Sequence, residues 1–279
     1  LAGLFGARGA IGVAPEYPGL GTPGVHPYLV ADVEGRAVLD SLRATHHLAG
    51  WLGVPISERY AAVGLSQGGH ATIAAAALHS RYAPELDIRA FGAAAPAAVW
   101  EEHWRASIAF DGPHVPYLAM VVYAWMAHYG WDGPSPWATG RRAAIEDAFR
   151  NECVVSSTGQ NLTTRLGTLR YSIFAPAFLD AYGSGEWGAY GAFGEWFEEN
   201  RLGPYEQTAP LRIYQGSADA IVPETWTADL VEALRAGGVT VDYEVVFGGT
   251  HTDVAFGFVA ESQHRTDESI AWVFAALDG

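Results

Sequence analysis

The run Gly64-Leu65-Ser66-Gln67-Gly68-Gly69 limits the fold more than any other part of the chain, because it joins a short apolar stretch, Tyr60–Val63, to an Ala-rich stretch from Gly69 to about His79. A serine on so tight a strand-to-helix turn is held in a strained backbone conformation, and side chains two residues to either side would collide with the strand and helix. Glycine at positions 64 and 68 removes that collision. The turn lifts the Ser66 hydroxyl above a sheet, and the N–H of Gln67, at the helix start, can donate to a developing oxyanion. Ala71, Ala74, Ala75 and Ala77 keep one helix face small, so that it lies close to the strands.

The surrounding sequence has the pattern of a parallel sheet flanked by helices. Ala10–Ala14, Tyr60–Val63 and Ile88–Ala94 read as strands, and Val30, Val33, Ala37, Val38, Ser41 and Leu42 fall at helical spacing between Leu29 and about Leu48. From about Ala97 to Pro210 the alternation gives way to helical, aromatic sequence, in which Trp100, Trp104, Trp125, Trp131, Trp137, Trp187 and Trp196 make seven of the ten tryptophans. Strand periodicity returns at Leu211–Gln215 and Val241–Phe247. Between them a helix from about Glu224 to Ala236 stops at Gly237-Gly238, and Glu261–Leu277 is the final helix. The expected architecture is α/β, an α/β-hydrolase fold whose mostly parallel sheet carries a large helical cap inserted after the third visible strand. The expected boundaries are core 1–96, cap 97–210 and core 211–279.

Composition narrows the functions. All 16 cations are Arg, against 31 Asp and Glu, and a net charge of −15 repels nucleic acid and anionic membrane surfaces. The longest apolar stretch, Val115–Ala127, holds thirteen residues, short of the roughly 20 needed to span a bilayer. A single cysteine, Cys153, excludes an internal disulfide and a cysteine-based metal site. Glu101-Glu102-His103 lacks metal-ligand spacing and reads as a solvated helix face. No metal or cofactor is expected. Asn161-Leu162-Thr163 is a glycosylation sequon by pattern alone.

A nucleophilic serine needs a base, and the base needs an orienting acid. In the α/β-hydrolase order the acid follows a later strand and the histidine follows the last one. Asp219, in Gln215-Gly216-Ser217-Ala218-Asp219, and His251, in Gly248-Gly249-Thr250-His251-Thr252-Asp253, occupy those two loops in that order. Asp253 is the rival acid, although neighbours so close in sequence seldom meet opposite ends of one imidazole. His70, one turn beyond Ser66, reads as a packed or hydrogen-bonded helix histidine.

The run from Glu16 to Tyr28, the elbow Ser66-Gln67-Gly68-Gly69-His70, and the segments Gly216-Ser217-Ala218-Asp219 and Thr250-His251-Thr252-Asp253 together resemble the secretory lipase family of α/β-hydrolases. The resemblance implies a secreted carboxylic-ester hydrolase with Ser66 as nucleophile, Asp219 as acid and His251 as base. The chain departs from the family where Glu16 stands for the usual Asp, where Ser217 and Ala218 vary the acid loop, and in lacking the N-terminal third. Leu1–Gly9 reads as the end of a helix, so the chain is expected to be a piece of a longer protein. The missing N-terminal segment would supply a central strand, the second oxyanion donor (absent from this chain), and a cysteine to pair with Cys153.

The expected reaction is ester hydrolysis through an acyl-enzyme, on small-molecule or lipid esters with a hydrophobic acyl or alcohol part, with no stable membrane insertion. An acyltransferase or peptidase using the same triad, and a catalytically silent binding domain of the same fold, are the alternatives. Met120, Met126 and the aromatics of Val115–Ala127 would either line an acyl-chain tunnel or dock the cap on the core.

Overall fold

Helix α1 (Ala31–Leu52) precedes strand β1 (Arg59–Leu65), which runs through the elbow into α2 (Gln67–Tyr82) and then β2 (Asp87–Ala94). After a long helical stretch come β3 (Leu211–Gly216), a helix at Glu224–Ala236, β4 (Val241–Val246) and a closing helix at Gln263–Asp278. The computed structural model describes residues 5–152, 154, 161–254 and 263–279. Cys153, and with it the expected disulfide, lies outside the described residues.

The strands form a parallel sheet in the order β1-β2-β3-β4, with Leu65 opposite Ala94 and Gly216 opposite Val246. From Ala90 onward β2 is buried without interruption, as expected of an inner parallel strand covered on both faces. The edge strand β4 mixes buried and exposed positions instead. The loops that follow the four strands therefore leave the sheet at the same end, the carboxyl ends of the strands, where open α/β sheets bind ligands.

Ala10–Ala14 departs from expectation. The segment makes no ladder, and Ile11 and Val13 are 55% and 40% exposed. A strand exists only through its neighbours' N–H and C=O groups. Among the described residues the sheet ends at β1, so nothing pairs with this segment. Apolar alternation alone therefore did not specify a strand.

Contacts divide the chain into two compact units. The first comprises residues 1–17, 31–98 and 202–279 and contains the whole sheet; the second comprises 18–30 and 99–201. In the first unit α1 lies close against α2 because Gly35 has no side chain. A β-carbon there would sit 2.7 Å from Leu78 Cδ1 and 2.8 Å from the Ala74 carbonyl carbon. The buried face of α1 is Glu34, Gly35, Leu39, Leu42 and Ala49.

The second unit is built from α3 (Glu101–Ile108), α4 (Val115–Tyr129), α5 (Arg142–Asn151), α6 (Leu162–Leu166), α7 (Arg170–Ile173), α8 (Pro176–Ser184) and α9 (Ala192–Glu199). Its interior is a web of rings. Trp125 meets Phe197 edge-on at 5.0 Å, Phe178 meets Phe193 at 5.2 Å, and Tyr129 stacks on Trp196 at 4.9 Å. Such contacts add about 0.5–1.5 kcal/mol per pair to the area they bury. Glu101-Glu102-His103 is not a uniformly solvated face. His103 is buried and stacks on Trp100, whereas Arg201 pairs with Glu102 and holds its carboxyl down at about 2. Asn161 caps α6, accepting from the Thr164 N–H at 2.9 Å.

The close approach of α1 and α2 generates a paired prediction in urea denaturation. Gly35→Leu overpacks that contact and is expected to cost about 1–3 kcal/mol. Gly50→Ala, in the same helix but with open space at the β-carbon, is expected to gain about 0.5 kcal/mol from helix propensity.

Candidate active site

Ser66 sits between β1 and α2 at φ 58°, ψ −115°, a conformation that a residue with a side chain rarely adopts. The neighbouring backbone holds it there. Its N–H donates to the Ala94 carbonyl at 2.8 Å, one step beyond the β1–β2 ladder, and its carbonyl accepts from His70 at 2.9 Å and Ala97 at 3.2 Å. A serine preceding a helix ordinarily turns its hydroxyl onto the first-turn N–H groups. Ser66 makes no such bond, so its hydroxyl is not spent on capping α2.

The two elbow glycines are not equivalent. A β-carbon on Gly64 would overlap the Gly68 carbonyl, so the strand and the first turn of the helix touch backbone to backbone. A β-carbon on Gly68 meets nothing within 4 Å, whereas one on Gly69 would come within 2.9 Å of the Ala94 carbonyl oxygen. The steric demand therefore falls on positions 64 and 69, and the expected collision at 68 is not found.

Asp219 and His251 meet. Asp219 Oδ2 lies 2.7 Å from His251 Nδ1, and the carboxylate is fully buried. Its other oxygen accepts from the N–H groups of Ile221 at 2.8 Å and Val222 at 2.9 Å. Gln215 Nε2 donates to Oδ2 at 3.2 Å and to the Val222 carbonyl at 3.0 Å, while Gln215 Oε1 accepts from the Thr227 hydroxyl at 2.7 Å. A buried carboxylate is tolerable only with its lone pairs engaged, and here both oxygens are.

The loops carrying these two residues are tied to each other. Ser217 N–H donates to Val246 O at 3.0 Å, Ala218 N–H to Gly249 O at 2.9 Å, and Gly248 N–H to Ser217 Oγ at 2.8 Å. A β-carbon on Gly216 would overlap the Gly249 carbonyl. Asp253 is occupied elsewhere: its Oδ2 accepts from the hydroxyl and the N–H of Thr250, both at 2.7 Å, and these two bonds hold its carboxyl below the usual range. Among the described residues no hydrogen bond joins the Ser66 hydroxyl to the His251 ring, and no three His, Cys, Asp or Glu side chains are grouped as a metal would need.

Residues 4–101, which contain the elbow, match the Secretory lipase family. The chain is 25% identical to Lipase A of Arthroderma benhamiae over 257 residues, which is 88% of this chain and 49% of that protein. By sequence the chain is similar to the secretory lipases. It spans about half the length of the curated relative it matches. In structure it is similar to a solved protein from Legionella pneumophila (TM-score 0.80, 23% identity, 96% of this chain and 70% of that one). It is also similar to the rice cell wall degrading esterase LipA of Xanthomonas oryzae (0.68, 19%, 91% and 66%) and to Candida antarctica lipase A (0.62, 18%, 88% and 56%). The fold is that of the α/β-hydrolases.

Sequence reasoning missed Gln215 and Thr227, which hold the acid loop, and Glu34. Two of the three carried a signal: Gln215 is a polar residue ending an apolar strand, and Glu34 lies on the apolar stripe of α1, four residues from Val30 and from Val38.

The unequal glycines give a second paired prediction. Gly64→Ala is expected to destabilise the protein by about 3 kcal/mol or more, and Gly68→Ala to stay within about 0.5 kcal/mol of the parent, both read from urea denaturation midpoints.

Proposed function

We propose that the chain carries the chemical centre of a secreted serine carboxylic-ester hydrolase of the lipase and esterase type, with Ser66 as nucleophile, His251 as general base and Asp219 as its orienting acid. The observation that carries the proposal is the left-handed Ser66, its hydroxyl unused by the helix, at the same end of the sheet as a buried Asp219–His251 pair. The kinship of residues 4–101 with secretory lipases supports the substrate class and the export.

Asp219 Oδ2 accepts a hydrogen bond from His251 Nδ1–H, which leaves the lone pair on Nε2. Ser66 Oγ attacks the ester carbonyl carbon as its proton passes to Nε2. The carbonyl oxygen becomes an oxyanion that accepts from the Gln67 N–H at the head of α2, where the helix dipole adds to the attraction. Collapse expels the alcohol, which takes the proton from His251. Water then adds to the acyl-enzyme by the same route and releases the acid. No step calls on a metal or cofactor. The substrates are small-molecule or lipid esters with a hydrophobic acyl or alcohol part. Among the described residues no helix is long and apolar enough to cross a membrane.

The test is labelling with a fluorophosphonate followed by ester kinetics. Ser66→Ala is expected to abolish labelling and to lower turnover by orders of magnitude. Asp219→Asn is expected to cost about 10³ to 10⁴ in kcat, while Asp253→Asn stays within a few-fold of the parent. An adduct on Ser217 in place of Ser66, or a larger loss from Asp253→Asn than from Asp219→Asn, would overturn the assignment.

A further inference from the structure

Glu34 is a carboxylate with no accessible surface, carried by α1 and directed at the first turn of α2. Its Oε1 accepts from Gln67 Nε2 at 2.7 Å, and its Oε2 lies 2.7 Å from His70 Nδ1. Gln67 and His70 are three apart on one helical face, so one carboxylate grips both. His70 is itself fully buried, and its Nε2 has no hydrogen-bond partner among the described residues. Glu34 is thus the acceptor that commits the ring to a proton on Nδ1. Tyr17 also senses the site: burial first, and then the Glu34 charge, raise its phenol well above the ordinary tyrosine range.

Burying a carboxylate away from water is expensive, and a packed apolar side chain would serve stability as well or better. The placement has a use at the elbow. Gln67 is the first residue of α2 and follows the nucleophile. A donor aimed at an oxyanion contributes only when its direction is fixed beforehand, and loss of one such donor costs about 10² to 10³ in rate. First turns lack the intrahelical bonds that hold later turns in place. Here the first turn is instead anchored through two side chains to a helix packed alongside.

We infer that Glu34 is a positioning residue for the oxyanion site, holding the Gln67 N–H on line through its grip on the Gln67 amide and the His70 ring. This rests on the reading of Ser66 as nucleophile.

The experiment measures fluorophosphonate labelling rates at Ser66, together with kcat and KM on a soluble p-nitrophenyl ester, in the parent, Glu34→Ala, Glu34→Gln, Gln67→Ala and the Glu34→Ala/Gln67→Ala double variant. Glu34→Ala is expected to lower kcat and labelling about tenfold or more, a fraction of the loss of a whole donor, with KM changed less than about threefold. Glu34→Gln still accepts from Gln67 and is expected to recover most of the rate. Gln67→Ala keeps its backbone N–H but loses the anchor, so its loss and that of Glu34→Ala should not multiply in the double variant. A residue serving stability alone would shift the urea midpoint and leave kcat and labelling in place. Glu34→Ala rates within twofold of the parent, or losses that multiply, would overturn the inference while Ser66 stands. A parent protein that neither labels at Ser66 nor turns over ester would overturn both. If Glu34→Ala does not fold, Gln67→Ala decides: parental rates overturn the inference, and a loss with Glu34→Gln near parental supports it.

Discussion

The backbone contact between Gly64 and Gly68 sets the geometry on which the rest of the site depends. With the backbones of Gly64 in β1 and Gly68 in the first turn of α2 in contact, the chain reverses at a single residue, Ser66, which takes a positive φ. The strain at Ser66 is offset by the bond it donates to Ala94 and those it accepts from His70 and Ala97. The same reversal that costs conformational energy removes the serine hydroxyl from helix capping at the end of the sheet.

Two buried carboxylates, Asp219 and Glu34, are satisfied in different ways. Asp219 is saturated by donors from its own loop, from Gln215 and from His251. Its loop is bonded in turn to the loop that carries the histidine. The pair is therefore fixed by the β3–β4 register and needs no long-range docking. Glu34 reaches across from α1 to the first turn of α2, made possible by the absence of a side chain at Gly35. Small residues at the interface thus do more than fill space, since they bring a charged group within hydrogen-bond distance of the elbow.

The second unit follows other physics. Its helices are short, and its interior is held by ring contacts around Trp125, Phe178, Phe193 and Trp196. Arg pairs such as Arg201 with Glu102 lie on its surface. Large rings bury much area with few rotatable bonds.

The sequence by itself determined the elements whose causes are local. The elbow, the alternation of β1, β2, β3 and β4 with helices, the helix stop at Gly237-Gly238, and the loops holding Asp219 and His251 were all legible, because periodicity and glycine placement act within a few residues. What tertiary structure decided are the properties that need a neighbour. Ala10–Ala14 has strand-like sequence but no ladder among the described residues, since pairing is not a property of one segment. The collision expected at Gly68 falls instead at Gly69, because it depends on where Ala94 ends β2. Asp253, equal to Asp219 as a residue type, is turned onto Thr250 by its own tight turn. Gln215 and Glu34 look misplaced on apolar faces until the partners that satisfy them, Asp219 and Thr227 for one, Gln67 and His70 for the other, are brought beside them by the packing of distant parts of the chain.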